Sequence, residues 1–297
     1  MNLTSKAYIN GFIGIIIFSA TLPVTKIALG VDNNQLTPEF ITFGRSVIAG
    51  LFSIVFLIIY KQKIPNLKNL IQLFFISILL IFLFTLFIYY VFRHNEAIHS
   101  GVILGSLPLF TSLCGSIYLK QKESFLFWLF SIFGFILIFL FSIFSSSGLN
   151  LKLLMSFNLS DLILFFAVIS ASVGYVIGSK LTKELGPLTV ISWALTLSLP
   201  ITLPFSYYEF PSNSIEQSSW FAFFYLAIMS QWIGYLFWYK GLSLGGAVKI
   251  GQVQLIYPFA SFVFSIFLLN EKLNLFTFFF SVLILGIIYL TKRFSKN

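Results

Sequence analysis

Apolar residues in this chain neither alternate with polar ones, as in a half-buried strand, nor fall on a single stripe, as in a surface helix. They gather in long blocks, and polar residues are confined to short stretches between them. Ten blocks have roughly the 20 residues that a helix needs to cross about 30 Å of hydrocarbon. They cover about 7–29, 39–60, 69–92, 100–119, 125–146, 161–181, 187–207, 220–239, 246–269 and 274–291. The linkers are short and carry turn formers, as in Gly30 to Pro38, Gly186-Pro187 and Pro211 to Ser214, with no room for a soluble module. The pattern predicts an all-α integral membrane protein with ten transmembrane helices in one domain over residues 1–297. The first block follows a lysine, as a signal peptide would, but it continues through Pro23 to Leu29 and so predicts a retained helix.

Composition supports lipid as the solvent. Hydrophobic residues make up 58% of the 297 residues and charged ones 9%, against about 25% charged in soluble domains. A soluble enzyme, a nucleic-acid binder and a disordered chain are excluded on that ground. The net charge of +9 is read as topology, because Lys and Arg are retained on the cytoplasmic side. With the N-terminus inside, that side holds Lys6, Lys61, Lys63, Lys68, Lys120, Lys122, Lys180, Lys183, Lys240, Lys292, Arg293 and Lys296. The opposite side holds Arg93, Lys152 and Lys272, and its longest late loop carries Glu209 and Glu216. Both termini are therefore expected in the cytoplasm of a cell lying against its inner (plasma) membrane. The single cysteine, Cys114, allows neither an internal disulfide nor a thiol metal site and is read as a packing residue.

A shift of 150 residues lays the second half on the first: Pro108 falls on Pro258, Tyr89 on Tyr239, Ala97 on Ala247, Gly101 on Gly251 and Lys122 on Lys272. A slightly different shift lays Ser179-Lys180-Leu181 on Thr25-Lys26-Ile27. Each half (about 7–146 and about 161–291) then holds five helices. Five is odd, so the second copy enters the membrane from the other side and the repeats are inverted. Many secondary transporters are built this way, with a substrate site near the midplane between the halves.

Several stretches resemble the ten-helix EamA-type carriers of the drug/metabolite transporter superfamily, over essentially the whole chain. They are Phe18 to Ala28 ending helix 1, Arg45 after Pro38 in helix 2, Leu107-Pro108-Leu109-Phe110-Thr111 in helix 4, and Ile256-Tyr257-Pro258-Phe259-Ala260 in helix 9. Phe267 to Lys272 is similar to that family's leucine-rich run closing in Gly-Glu, with Asn270 in place of the glycine; Lys120-Gln121-Lys122 lacks the acidic residue in the first copy. The resemblance implies a carrier of a small polar or amphipathic metabolite, such as an amino acid, a nucleoside or a sugar phosphate. It also implies that helix 2 is mainly scaffold.

Ionisable groups inside a spanning helix are expensive and invite a functional reading. Three are candidates. Lys26 can snorkel from the end of helix 1, Lys249 sits one turn into helix 9, and Arg45 lies roughly 9 Å inside helix 2 at 1.5 Å per residue. Arg45 is read as structural, pairing with Glu39 or capping carbonyls of a neighbour. All three are cationic and every carboxylate falls at a helix end or in a loop, which suits a carboxylate- or phosphate-bearing solute and facilitated or exchange transport. The expected binding residues are Thr21, Pro23, Tyr89, Pro108, Tyr175, Trp232, Tyr235, Gln252, Gln254, Tyr257 and Pro258. At 100° per residue, Gly251, Gln254, Tyr257, Pro258 and Ser261 share one face of helix 9, and Lys249 and Gln252 another. Glutamine has no inexpensive place against lipid, and the two prolines free backbone carbonyls at matched depth. Aromatic walls with polar tips suit an amphipathic solute, amino acids first. Trp238 and Tyr239, near the end of helix 8, are assigned to the interfacial belt.

His94, Glu96 and His99 invite a metal reading, but a His spacing of five does not place two ligands on one helical face, so no metal or cofactor is expected. A membrane-embedded enzyme is the alternative from another class; it would need an acid–base pair or nucleophile facing a cavity, and none is apparent. A channel would lack saturation and trans-stimulation. Nucleosides or phosphorylated metabolites are the alternative solutes. The expected partners are that solute and membrane lipid; nucleic acid is excluded and a homodimer is left open. Helices 4 and 9 are expected to rock against helices 1, 3, 6 and 8, with helices 5 and 10 peripheral.

Overall fold

The structure, a computed structural model, describes the backbone of residues 2–30, 35–87, 103–147, 159–270 and 275–295, and their side chains outside 142–147, 159–161 and 275–277. The described residues form ten apolar helical segments: α1 (Leu3–Leu29), α2 (Pro38–Ile59), α3 (Leu67–Phe87), α4 (Leu107–Tyr118), α5 (Phe125–Ser147), α6 (Leu159–Leu185), α7 (Pro187–Tyr208), α8 (Gln217–Gly245), α9 (Ala247–Leu269) and α10 (Leu275–Phe294). This is a multi-pass membrane protein built from two inverted halves, as the repeat predicts. The ends follow local chemistry. Asn2, Thr37 and Asn66 cap α1, α2 and α3 by accepting from the N–H groups of Ser5, Phe40 and Asn69. Gly186 and Gly246, at φ of 84° and 87°, turn the chain between α6 and α7 and between α8 and α9, where a side chain would be strained.

Helix α1 lies along α8, and α2 along α7. The first pair approaches closely because glycines face it: a Cβ on Gly241 would stand 2.7 Å from the Gly11 amide nitrogen, and one on Gly14 2.9 Å from that of Trp238. One large apolar cluster joins α1, α3, α6, α7, α8 and α9 towards the end that carries Lys6, Lys68, Lys183 and Lys240. A second, around Phe40, Ala222 and Phe223, closes α1, α2 and α8 at the other end. The third packs α5 and α10 on α9. Phe278, Phe279, Val282, Leu285 and Tyr289 of α10 point outward, as lipid-facing residues do. Helices 5 and 10 are thus peripheral, as expected.

Trp238 and Tyr239 do not form an interfacial belt. Both are 0% exposed, Tyr239 packs over Gly178 of α6, and its hydroxyl donates to the Gly174 carbonyl at 3.4 Å. A glycine opposite an aromatic ring draws α8 into α6, a pairing that local hydropathy does not reveal.

The departures from α geometry repeat between the halves. Residues Ser77–Leu83 of α3 and Tyr225–Ile233 of α8 are π-helical. Their closing bonds, Phe84 N–H to Leu79 O and Gly234 N–H to Met229 O, are related by the same 150-residue shift as the sequence matches. Ser106 before Pro108 (φ −79°, ψ −10°) and Ile256 before Pro258 (φ −75°, ψ −18°) form a second matched pair. The symmetry fails in α1. Pro23 lacks the N–H that Ser19 O would accept, so α1 breaks at Ala20; its mate α6 is continuous.

Gly241→Ala should lower the melting temperature of the detergent-purified protein, by the equivalent of about 1–3 kcal/mol for overpacking against a backbone. Gly286→Ala, which meets nothing within 4 Å, should leave it unchanged or raise it, by up to about 1 kcal/mol of helix propensity. A thermal melt of the two variants beside the parent checks this.

Candidate functional site

The two halves also meet where α4 crosses α9. Small residues permit the approach: a Cβ on Gly115 would lie 3.1 Å from the Ala247 Cβ, and one on Gly251 3.1 Å from the Thr111 methyl. Polar side chains then fill the seam. Gln252 donates to the Ser112 hydroxyl at 2.7 Å and to the Pro108 carbonyl at 3.3 Å. Ser112 Oγ lies 2.8 Å from the Val248 carbonyl and 2.9 Å from that of Pro108. Gln254 donates to Thr111 Oγ1 at 3.3 Å, and Thr111 sits 3.3 Å from Ser172 of α6. Interhelical bonds of this kind contribute about 0.5–2 kcal/mol each within a bilayer. Both glutamines therefore face α4, although a uniform 100° step would separate them. The tighter 3-10 turn over Gln252–Ile256 changes that step.

At the lysine-rich end the seam is latched by the α4–α5 connection. Lys249 Nζ lies 3.8 Å from Glu123, whose side chain is 3% exposed, and Gln121 Oε1 accepts from the first-turn N–H of Val248 at 3.3 Å. Lys249 therefore ends on a carboxylate of the other half. Lys26, at the far end of α1, is exposed. A cleft of about 410 Å³ lies beside Tyr118, Lys120, Lys180 and Lys183 at the lysine-rich end; it includes none of the expected binding residues.

The break in α1 supplies a second polar patch. Thr21 Oγ1 lies 2.8 Å from Ser230 Oγ, within the π segment of α8, and Tyr225 donates to the Ile17 carbonyl at 3.2 Å. Breaks in two helices thus meet and satisfy each other. Pro23, which causes the first, is buried.

Between these patches lies Arg45. Its Nε is enclosed and has no hydrogen-bond partner, and no hydrogen bond or ion pair to its guanidinium occurs among the described residues. Among the described residues neither Glu39 nor a carbonyl of a neighbouring helix pairs with it, the two partners expected of a structural arginine. It stands instead within electrostatic range of the Tyr235 and Tyr257 hydroxyls. Tyr235 is bracketed by Phe18, with ring centroids 4.9 Å apart, and by Tyr175 at 6.2 Å. Beside Arg45, Ser46 accepts from Gln231 of α8 at 3.3 Å.

Of the expected binding residues, the structure brings Tyr235 and Tyr257, with Pro258 next along the chain, within electrostatic range of Arg45, and packs Tyr175 against Tyr235. It places Pro108, Gln252 and Gln254 in the α4–α9 seam and Thr21 and Pro23 at the α1 break. Trp232 donates from Nε1 to Ser192 of α7 at 2.9 Å and lies near Phe52 and Phe56 of α2, so its polar tip serves helix packing. Tyr89 and the His94–His99 segment lie outside the described residues, and no metal-ligating cluster occurs among those that are described. Residue types alone did not single out Ser112, Thr111, Ser230 and Tyr225. A hydroxyl in a spanning helix most often returns its bond to its own helix, and only contact geometry separates these from the rest.

Comparison with known proteins places the geometry. Residues 5–143 and 158–293 match the EamA-like transporter family. The uncharacterized transporter YdeK of Bacillus subtilis (strain 168) is 33% identical over 298 residues, covering 100% of both chains. The uncharacterized transporter YyaM of the same organism is 24% identical over 93% of this chain and 90% of its own. A protein of known crystal structure is 15% identical, with a TM-score of 0.76 over 96% of this chain and 98% of its own; that likeness concerns the fold alone.

Ser112→Ala removes the hydroxyl that links Gln252 to the Val248 carbonyl and leaves the Gln252 amide only its longer bond to the Pro108 carbonyl, which costs about 1–3 kcal/mol in a buried site. Its melting temperature should fall by several degrees, whereas that of Ser218→Ala, an exposed residue at the start of α8, should not move.

Proposed function

The chain belongs to the EamA-like transporter family, and on that footing we propose that it is a secondary transporter working by alternating access, with amino acids as its first class of solute. The observation that carries this reading is the matched pair of non-α breaks. The π segments of α3 and α8 and the proline restarts of α4 and α9 occupy equivalent positions in the two inverted halves. Equivalent hinges of opposite orientation are what a carrier needs to build an inner gate and an outer gate from one duplicated unit. The seam between α4 and α9 combines small-residue packing with exchangeable hydrogen bonds and one ion pair, contacts that can part and reform. A solute site ringed by Tyr175, Tyr235 and Tyr257 suits an amphipathic molecule with an apolar body and polar ends.

The lysine distribution supports both termini in the cytoplasm of a cell, with the protein in its inner membrane. Nucleosides and phosphorylated metabolites are the second group of solutes, and a membrane-embedded enzyme is the reading from another class; covalent turnover of a labelled lipid would mark the latter.

Counterflow decides between them. Proteoliposomes preloaded with mixed amino acids should accumulate a labelled one transiently and saturably, and Pro258→Ala should slow that uptake. A flux that neither saturates nor depends on internal solute would mean a channel. A reporter active only in the cytoplasm should work at either terminus; activity confined to a reporter that needs the outer compartment would reverse the orientation.

A further inference from the structure

We propose that the Arg45 guanidinium is the anion-recognising group of the transport site, so that the carried solute presents an oxyanion, a carboxylate or a phosphate, to it. The inference rests on the carrier reading above and names the chemistry of its substrate. Arg45 lies seven residues into α2 from Pro38, about 10 Å below the helix start at 1.5 Å per residue, deeper than a lipid headgroup reaches. An isolated charge at such depth is expensive. Proteins that bury an arginine for architecture pair it, because removing the partner of a buried charge is strongly destabilising. Here the guanidinium has no carboxylate and no carbonyl partner among the described residues, and its enclosed Nε is left without an acceptor.

The unsatisfied atom identifies the missing ligand. Nε–H and one Nη–H of arginine form a parallel pair of donors that matches the two oxygens of a carboxylate or phosphate. Arg45 keeps partial accessible surface although its Nε is enclosed. Around it stand Tyr235 and Tyr257, hydroxyl-tipped rings from α8 and α9, with Tyr175 behind. Thus α2 of one half and α8 and α9 of the other would all contact the same bound anion.

The repeat gives independent support. At the 150-residue shift the counterpart of Arg45 is Leu195, fully buried in the large apolar cluster, and no ionisable residue occurs anywhere in 194–199. A charge required by the architecture of the five-helix unit would be expected in both copies. A charge required by a solute is needed once.

Thermal stability of the purified protein, in a buffer free of other oxyanions, tests the assignment with matched pairs: L-phenylalanine against L-phenylalaninamide, and adenosine monophosphate against adenosine. At least one anion should raise the melting temperature while its uncharged-end partner does not; which of the two does so separates carboxylate from phosphate. Arg45→Gln should abolish the shift, and Arg45→Lys should raise the half-saturating concentration roughly tenfold or more, through loss of the paired donors. The unliganded Arg45→Gln protein should melt no lower than the parent, because an unpaired buried charge has been removed; a structural arginine would make it melt lower. The proposal is overturned if no anion stabilises the parent, if the amide or nucleoside stabilises it equally, if Arg45→Gln retains the shift, or if that variant is less stable without ligand. Counterflow of a neutral solute alongside indifference to anions would leave the carrier standing and the anion site refuted. Arg45-dependent stabilisation without counterflow of any solute would do the reverse.

Discussion

Inside a bilayer no water is available to a backbone group that loses its helical partner, and each such group costs several kcal/mol if left alone. That constraint arranges this protein. Departures from α geometry occur at Ala20 in α1, in Ser77–Leu83 of α3, at Ser106 before α4, in Tyr225–Ile233 of α8 and in Gln252–Ile256 of α9. The outer helices α5 and α10, whose backbone faces lipid, are unbroken over their described lengths. At two of these places a polar side chain from another helix reaches a backbone carbonyl. Tyr225 reaches the Ile17 carbonyl, and Gln252 reaches that of Pro108. Irregularity is confined to places where protein can substitute for water, and those places form the centre of the molecule.

The two halves share this economy without being identical. The π segments and proline restarts recur at one shift, so they belong to the ancestral five-helix unit. The break of α1 and the charge on α2 do not recur: Pro23 has no counterpart that interrupts α6, and Leu195 stands where the second half would need an arginine. Symmetric features serve the architecture and motion common to both halves, whereas asymmetric ones collect around Tyr175, Tyr235 and Tyr257. Close packing follows the same division. Glycines draw α1 to α8 and α4 to α9, two of the seams that join one half to the other.

Much of this was legible from residue order. Block length and linker chemistry defined the helices, and matched prolines disclosed the duplication, because both depend on local hydropathy and on the one residue that cannot donate. The tyrosines of the centre were also recognisable, as aromatic groups with polar tips at mid-span. Gln252 and Gln254 were rightly marked as having no place against lipid, but their destination was not readable. A 3-10 turn rotated them onto α4, and helical periodicity assumes a constant step. Trp238 and Tyr239 look interfacial by position and are interior in fact, because Gly178 on a distant segment opens room for the Tyr239 ring. Trp232 has the composition of a binding wall, yet its indole N–H is taken by Ser192.

By itself, then, the amino-acid order determined the solvent, the number of spans and the duplicated plan, since these follow from how long each apolar block is and where prolines interrupt it. Tertiary structure alone decided which polar groups are satisfied by neighbours and which are left over. Lys249 and Arg45 are both basic residues within apolar helices, and their depth along the helix does not say which of them finds a partner. Packing gives Lys249 the carboxylate of Glu123, from 126 positions away, and, among the described residues, gives Arg45 the tyrosines of α8 and α9. Whether a buried charge is paired depends on what lies across the helix interface, and that is a property of the assembled bundle rather than of any segment in it.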